Sequence, residues 1–125
     1  MRIVAGKFRG ARIEAPKGLA TRPTSDRVRQ ALFNVLEHGA PAVDFDCARV
    51  LDLFAGTGAL GLEALSRGAA FALFVDDGAQ ARALLRENVA ALGLGGVTRI
   101  FRRDAAKLGL AHPVEPFSLA FLDPP

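Results

Sequence analysis

The chain predicts an α/β fold: an open parallel sheet with helices on both faces, preceded by a basic β-hairpin and an amphipathic helix. Two observations predict it. Beyond residue 48, short apolar runs suited to buried strands alternate with helix-length segments that end at glycine, the pattern of βαβ units with right-handed crossovers. Before residue 48 the character differs: residues 1–30 carry Arg2, Lys7, Arg9, Arg12, Lys17, Arg22, Arg27 and Arg29 against only Glu14 and Asp26, although the whole chain has a net charge of just +3. At 125 residues, half of them hydrophobic and 23% charged, the chain is large enough for one domain with a core and unlike a disordered tail.

The elements follow in order. "RIVAG" and "ARIEA" are short β-like runs around "KFRG", with Gly6 and Gly10 as turn residues, and form the expected hairpin. "APKGLATRPTSD" is a connection, and residues 1–24 are set apart as a basic arm from a domain over 25–125. From Ser25, the residues Val28, Ala31, Leu32, Val35 and Leu36 recur at helical spacing as one apolar stripe. Thr24 or Ser25 can cap that helix, and Gly39 with Pro41 ends it. "ARVLDL" is a first strand, "ALGLEALSRG" a helix, "FALFV" a second strand and "AQARALLRENVAALG" a second helix. "VTRIF" and "FSLAFL" are the third and fourth strands, joined through "RDAAKLGLAHPVEP".

Several function classes are excluded early. The single Cys47 rules out an internal disulfide and a multi-cysteine zinc site, so a reducing, cytoplasmic setting without a structural metal is expected. No run of about 18 apolar residues and no signal-type apolar stretch occurs, so neither membrane insertion nor export is expected. A monomer is expected. The segregated basic arm suits a polyanion, because each cation placed on a phosphate releases condensed counterions.

The strongest local signal is "VLDLFAGTGALG". Gly56, Gly58 and Gly61 form a G-x-G-x-x-G directly after a strand and at the opening of a helix, where unpaired amides can meet an anionic group. Asp76, twenty residues after Gly56, ends the second strand and can accept from the hydroxyls of a ribose. This is a Rossmann-like nucleoside site. Asp52 distinguishes its ligand. A carboxylate entering the loop would repel a pyrophosphate but suits the ammonium and sulfonium of S-adenosylmethionine. Asp104, after the third strand, falls within reach of an adenine amine if the ligand lies across the strand ends.

The chain closes on Asp123, Pro124 and Pro125 at the end of the fourth strand. Together, "DLFAGTGALGLEALSRGA", the acid ending "FALFVD", "RD" and "DPP" resemble a class I S-adenosylmethionine-dependent methyltransferase of the (D/N)PP(Y/F) amino-methylating type. "MRIVAGKFRGARI" and "RPTSDRVRQALFNVL" resemble specifically the bacterial 16S ribosomal RNA guanine-N2 methyltransferase family, and the similarity runs from residue 1 to residue 125. The resemblance implies a cofactor pocket of Asp52, Phe54, Ala55, Gly56, Thr57, Gly58, Gly61, Asp76, Asp104 and Ala105, with S-adenosylhomocysteine as product. It implies that Asp123 and the Pro124 carbonyl accept the hydrogens of a guanine amine, that Pro125 stiffens the turn, and that catalysis is mainly positioning and electrostatics. The implied partner is 16S ribosomal RNA or a small-subunit assembly particle, with Lys7, Arg9, Arg12, Arg22, Arg27 and Arg29 as candidate RNA contacts.

Two departures stand out. The family more often has Glu where this chain has Asp76, and the aromatic expected after the prolines has no counterpart because the sequence ends at Pro125. The chain is therefore expected to be truncated after its fourth strand, to keep most of the cofactor pocket and to be impaired in turnover. Two other readings use part of the same pattern: a nicotinamide-dependent oxidoreductase on the glycine loop and Asp76, and a non-catalytic RNA-binding module on the basic arm.

Overall fold

The computed structural model describes residues 1–16, 25–104 and 116–124. Its secondary structure runs α1 (Asp26–His38), β1 (Arg49–Leu53), α2 (Ala59–Ser66), β2 (Phe71–Val75), α3 (Ala79–Ala91), a short 3-10 turn (Gly95–Val97), β3 (Thr98–Phe101) and β4 (Leu119–Leu122). The four strands are parallel in the order β3-β2-β1-β4. The chain steps outward from β1 to β3, then returns to lay β4 on the other side of β1. That reversal between β1 and β4 is the switch point at which open α/β sheets bind ligands.

Strand register decides which side chains meet the helices. Asp52 pairs with Phe74 and Phe121, and Val50 with Ala72 and Leu119, so these residues share one face. Val50, Ala72 and Phe74 are fully buried there beneath α2 and α3. α1 joins the same layer through Phe33, whose ring packs on Phe45 at 5.2 Å and on Phe121 at 5.6 Å. The described helices thus cover one face of the sheet rather than both; residues 105–115, which link β3 to β4, lie outside the described residues.

α1 starts where expected, with the Ser25 side chain accepting from the Val28 amide, and gives way to Gly39. Its buried face is a different one. Val28 and Val35 are 57% and 68% exposed, while Arg29 and Phe33 are completely buried and Leu32 and Leu36 only half-buried. The reason is Glu63, a fully buried acid on α2. Arg29 Nε lies 3.2 Å from it and Arg67 Nε 2.9 Å, and Arg67 also reaches Glu37 at 3.0 Å. A buried carboxylate is tolerable only when paired, so the cation turns inward and the valines outward.

The amino-terminal segment is a narrow antiparallel loop with one bridge, Arg2 to Arg12, rather than a two-stranded hairpin. It also does not stand apart as an arm. Ile3 and Ile13 are buried in the same core as Phe33 and Leu62. The amides of Val4 and Ala5 donate to Glu63, those of Lys7 and Phe8 to Ser66, and Glu14 exchanges hydrogen bonds with Asn88 on α3. The described part of this segment thus shares a core with α1 and α2, while residues 17–24, up to the expected boundary, lie outside the described residues.

Candidate active site

The glycine loop leaves β1 through Phe54, a non-glycine residue at φ +55°, and then Gly56 and Gly58 at φ +57° and +83°. The three glycines answer to different constraints. At Gly56 an added Cβ would meet nothing within 4 Å, so glycine is required there by backbone conformation, and the loop faces open space. At Gly58 a Cβ would fall 2.2 Å from Leu85 Cδ1, and at Gly61 it would fall 2.4 Å from Phe74 Cε1. Gly61 accordingly lets α2 lie close against the sheet.

Two carboxylates hold this loop from below and beside it. Asp76 accepts from the Gly56 amide and from the Gly78 amide, both at 2.9 Å. A carboxylate has about four acceptor positions, so these bonds leave capacity for a further donor. Asp52 lies beneath the loop instead of at its mouth: it is 2% exposed and accepts from the Gly61 amide at 3.0 Å, in the first turn of α2. Burial pushes its carboxyl up to about 8 against the pull of the Gly61 N–H, and the nearby Asp123 and Asp76 charges add to the rise.

Beside the loop a groove is lined by Phe54, Val75, Asp76, Asp77, Arg103 and Asp104. It crosses the carboxyl ends of β1, β2 and β3, and so brings together Phe54, Asp76 and Asp104 of the expected pocket. Ala55 is buried, its amide bonded to the Val75 carbonyl at 3.0 Å. Asp123 and Pro124 follow β4, exposed, one strand away from Asp52. Ala105 and Pro125 lie outside the described residues.

Four contributors are not among the expected pocket residues. Asn88, almost fully buried on α3, donates to the Thr57 carbonyl at 3.0 Å and to the Glu14 carbonyl at 3.1 Å. Arg82 donates to the Asp76 carbonyl, and Arg103 and Asp77 line the groove. Only the helical spacing of Asn88 from Leu85 would have placed it on the buried face of α3.

Of the candidate RNA contacts, Lys7, Arg9, Arg12 and Arg27 are exposed, with Arg12 pairing Glu14 at 3.2 Å. Arg29 is a correction: its guanidinium is buried among Glu63, Asp26 and the Arg2 carbonyl, and so is withdrawn from any phosphate. Arg22 lies outside the described residues. The tip of the amino-terminal loop also sits far from the glycine loop, because Lys7 and Phe8 bond Ser66, the last residue of α2, whereas the glycine loop precedes its first. Among the described residues no group of acids, histidines and cysteine is arranged to hold a metal ion, and no helix is long and apolar enough to cross a membrane.

The chain is similar to known proteins in sequence and fold. Ribosomal RNA small subunit methyltransferase D of Escherichia coli (strain K12) is 43% identical over 126 residues, covering all of this chain and 60% of that protein. The chain spans 60–66% of the length of two curated relatives, this one and a protein of Bacillus subtilis (strain 168). The solved structure of Escherichia coli yhhF is 40% identical with a TM-score of 0.81, covering all of this chain and 64% of that one. A methyltransferase from Thiobacillus denitrificans, solved with S-adenosyl-L-homocysteine, shares the fold at 22% identity and a TM-score of 0.56, over 68% of this chain and 32% of its own. The family model described as Conserved hypothetical protein 95 matches residues 1–125, and on that full-length match the chain belongs to this family.

Proposed function

We propose that this chain is the S-adenosylmethionine-binding part of a ribosomal RNA methyltransferase that modifies the exocyclic N2 amine of a guanine in 16S ribosomal RNA. The observation that carries the proposal is the convergence of Asp52, Asp76, Asp104 and Asp123 at the carboxyl ends of four parallel strands, around a glycine loop open on its ligand side. The residues present fit such a cofactor. The backbone of Gly56 faces open space, Asp76 retains acceptor capacity for ribose hydroxyls, Phe54 and Asp104 border the place for an adenine, and Asp52, kept protonated near neutrality by its burial, becomes a counter-charge once an ammonium draws its carboxyl back to the ionised form. When bound, S-adenosylmethionine supplies an electrophilic methyl group.

The protein's own part is positional. A purine amine is a poor nucleophile because its lone pair is delocalised into the ring. Asp123 and the Pro124 carbonyl, fixed by the ring of the proline, accept its two hydrogens, hold the nitrogen pyramidal and aim the lone pair toward the cofactor side of β1. Proton loss follows transfer. The substrate is free 16S RNA or an assembling small subunit, which places the chain in the cytoplasm.

The test is calorimetry with S-adenosylhomocysteine and NAD, followed by methyl transfer to 16S RNA. Binding of the first and not the second, with loss on Asp76→Ala, is expected. Binding of NAD alone overturns the proposal.

A further inference from the structure

An RNA that delivers a base to Asp123 must bring its phosphates toward Asp76, Asp77, Asp104 and Asp123. Phosphates within a Debye length of about 8 Å of these acids are repelled unless cations at the same rim offset them. The cations of the amino-terminal loop do not meet that need, since Lys7 is anchored at the far end of α2. Three arginines in five positions do: Arg99, Arg102 and Arg103 are all exposed, on β3 and immediately after it. Arg103 already lines the groove.

β3 is the outermost strand of the described sheet on the side away from β4. Arg99 pairs in register with Leu73, and Phe101 with Val75, so both lie on the sheet face opposite the described helices, at its outer edge, where Leu73 and Val75 further in are buried. Phe101 is 37% exposed between the arginines. Three strand spacings of about 4.8 Å separate β3 from β4, roughly 14 Å, which is beyond the target base but within its flanking nucleotides.

We propose that Arg99, Phe101 and Arg102 form a second contact strip for single-stranded RNA, the arginines on phosphates and the Phe101 ring under a base neighbouring the target. The strip rests on the ribosomal RNA reading above. Charge alone would equally suit a guard against edge-to-edge pairing of β3. An exposed ring between the arginines has no use in such a guard, but gives a base a face to stack on.

The experiment measures fluorescence anisotropy of a guanine-containing single-stranded oligonucleotide from 16S RNA, from about 50 to 200 mM KCl, the interval over which phosphate contacts dominate affinity. Calorimetry with S-adenosylhomocysteine runs alongside. Arg99→Glu/Arg102→Glu should raise the RNA Kd on the order of tenfold and make the log–log salt slope shallower by about 1.4, at roughly 0.7 per phosphate lost. Phe101→Ala should raise Kd about fivefold or more with the slope unchanged, as loss of stacking does. S-adenosylhomocysteine affinity should not change in any of them. Glutamates still protect a strand edge, so an edge guard predicts no effect on RNA. If the double variant folds poorly, Arg102→Glu alone, outside the strand, should reduce the slope by about 0.7. Unaltered RNA Kd and slope in the variants overturn the strip while leaving the substrate reading intact. If the unaltered chain binds S-adenosylhomocysteine but no RNA, the substrate reading fails and the strip with it.

Discussion

Replacing Asp52 with asparagine separates what this residue does for stability from what it does for the ligand. In the unfolded chain its carboxyl ionises near 3.8, and in the folded chain burial raises this to about 8. Between those values the folded state holds one more proton than the unfolded state, so stability present below about pH 4 is lost as pH rises toward 8. Each pH unit is worth about 1.4 kcal/mol, and four units give an upper figure of about 6 kcal/mol, comparable with the whole stability of a small domain. Asp52→Asn keeps an oxygen for the Gly61 amide and has no proton to lose. In urea melts it should match the wild type at about pH 4 or below and exceed it by several kcal/mol at pH 8. Its S-adenosylhomocysteine affinity should fall about 10- to 100-fold, the loss expected for a hydrogen bond between charged groups. Asp52 would then be a cost to the fold that is kept for a cationic ligand. Parallel stability–pH curves for the two proteins refute the burial argument, and equal affinities refute the ligand role.

Glu63→Gln removes the buried counter-charge shared by Arg29 and Arg67 and leaves them only the more exposed Asp26 and Glu37, so a loss of about 3 kcal/mol is expected in the same melts. Gly58→Ala combines a φ of +83° with a Cβ 2.2 Å from Leu85, so a destabilisation of about 2–4 kcal/mol should appear as a lowered urea midpoint. Asn88→Ala frees the Thr57 carbonyl between two left-handed glycines, and calorimetry should show S-adenosylhomocysteine binding weakened about tenfold.

Much of the fold is legible in the sequence because buried parallel strands are continuous apolar runs, and the four runs from Arg49 to Leu122 contain little else. The loop glycines and the acids after each strand are legible for the same local reason: their position relative to a strand end is a matter of counting. The packing of α1 is not, since apolar periodicity has no term for an arginine buried by a partner 34 residues away. Nor is the depth of Asp52. Its place in the chain suggests the loop mouth, and only the closeness of α2 to the sheet, permitted by Gly61, encloses it. The amino-terminal segment reads as a free basic arm because its anchors, Glu63, Ser66 and Asn88, lie far along the sequence and bond its backbone rather than its side chains.

Those anchors also bear on how the chain is made. Val4 bonds a residue 59 positions later, and Glu14 one 74 positions later. Synthesis delivers the amino terminus first, yet it has nowhere to settle until α2 and then α3 have emerged. Ile3 and Ile13 must wait in the open until α2 and α3 have been made, so residues made early reach their places only after residues made much later.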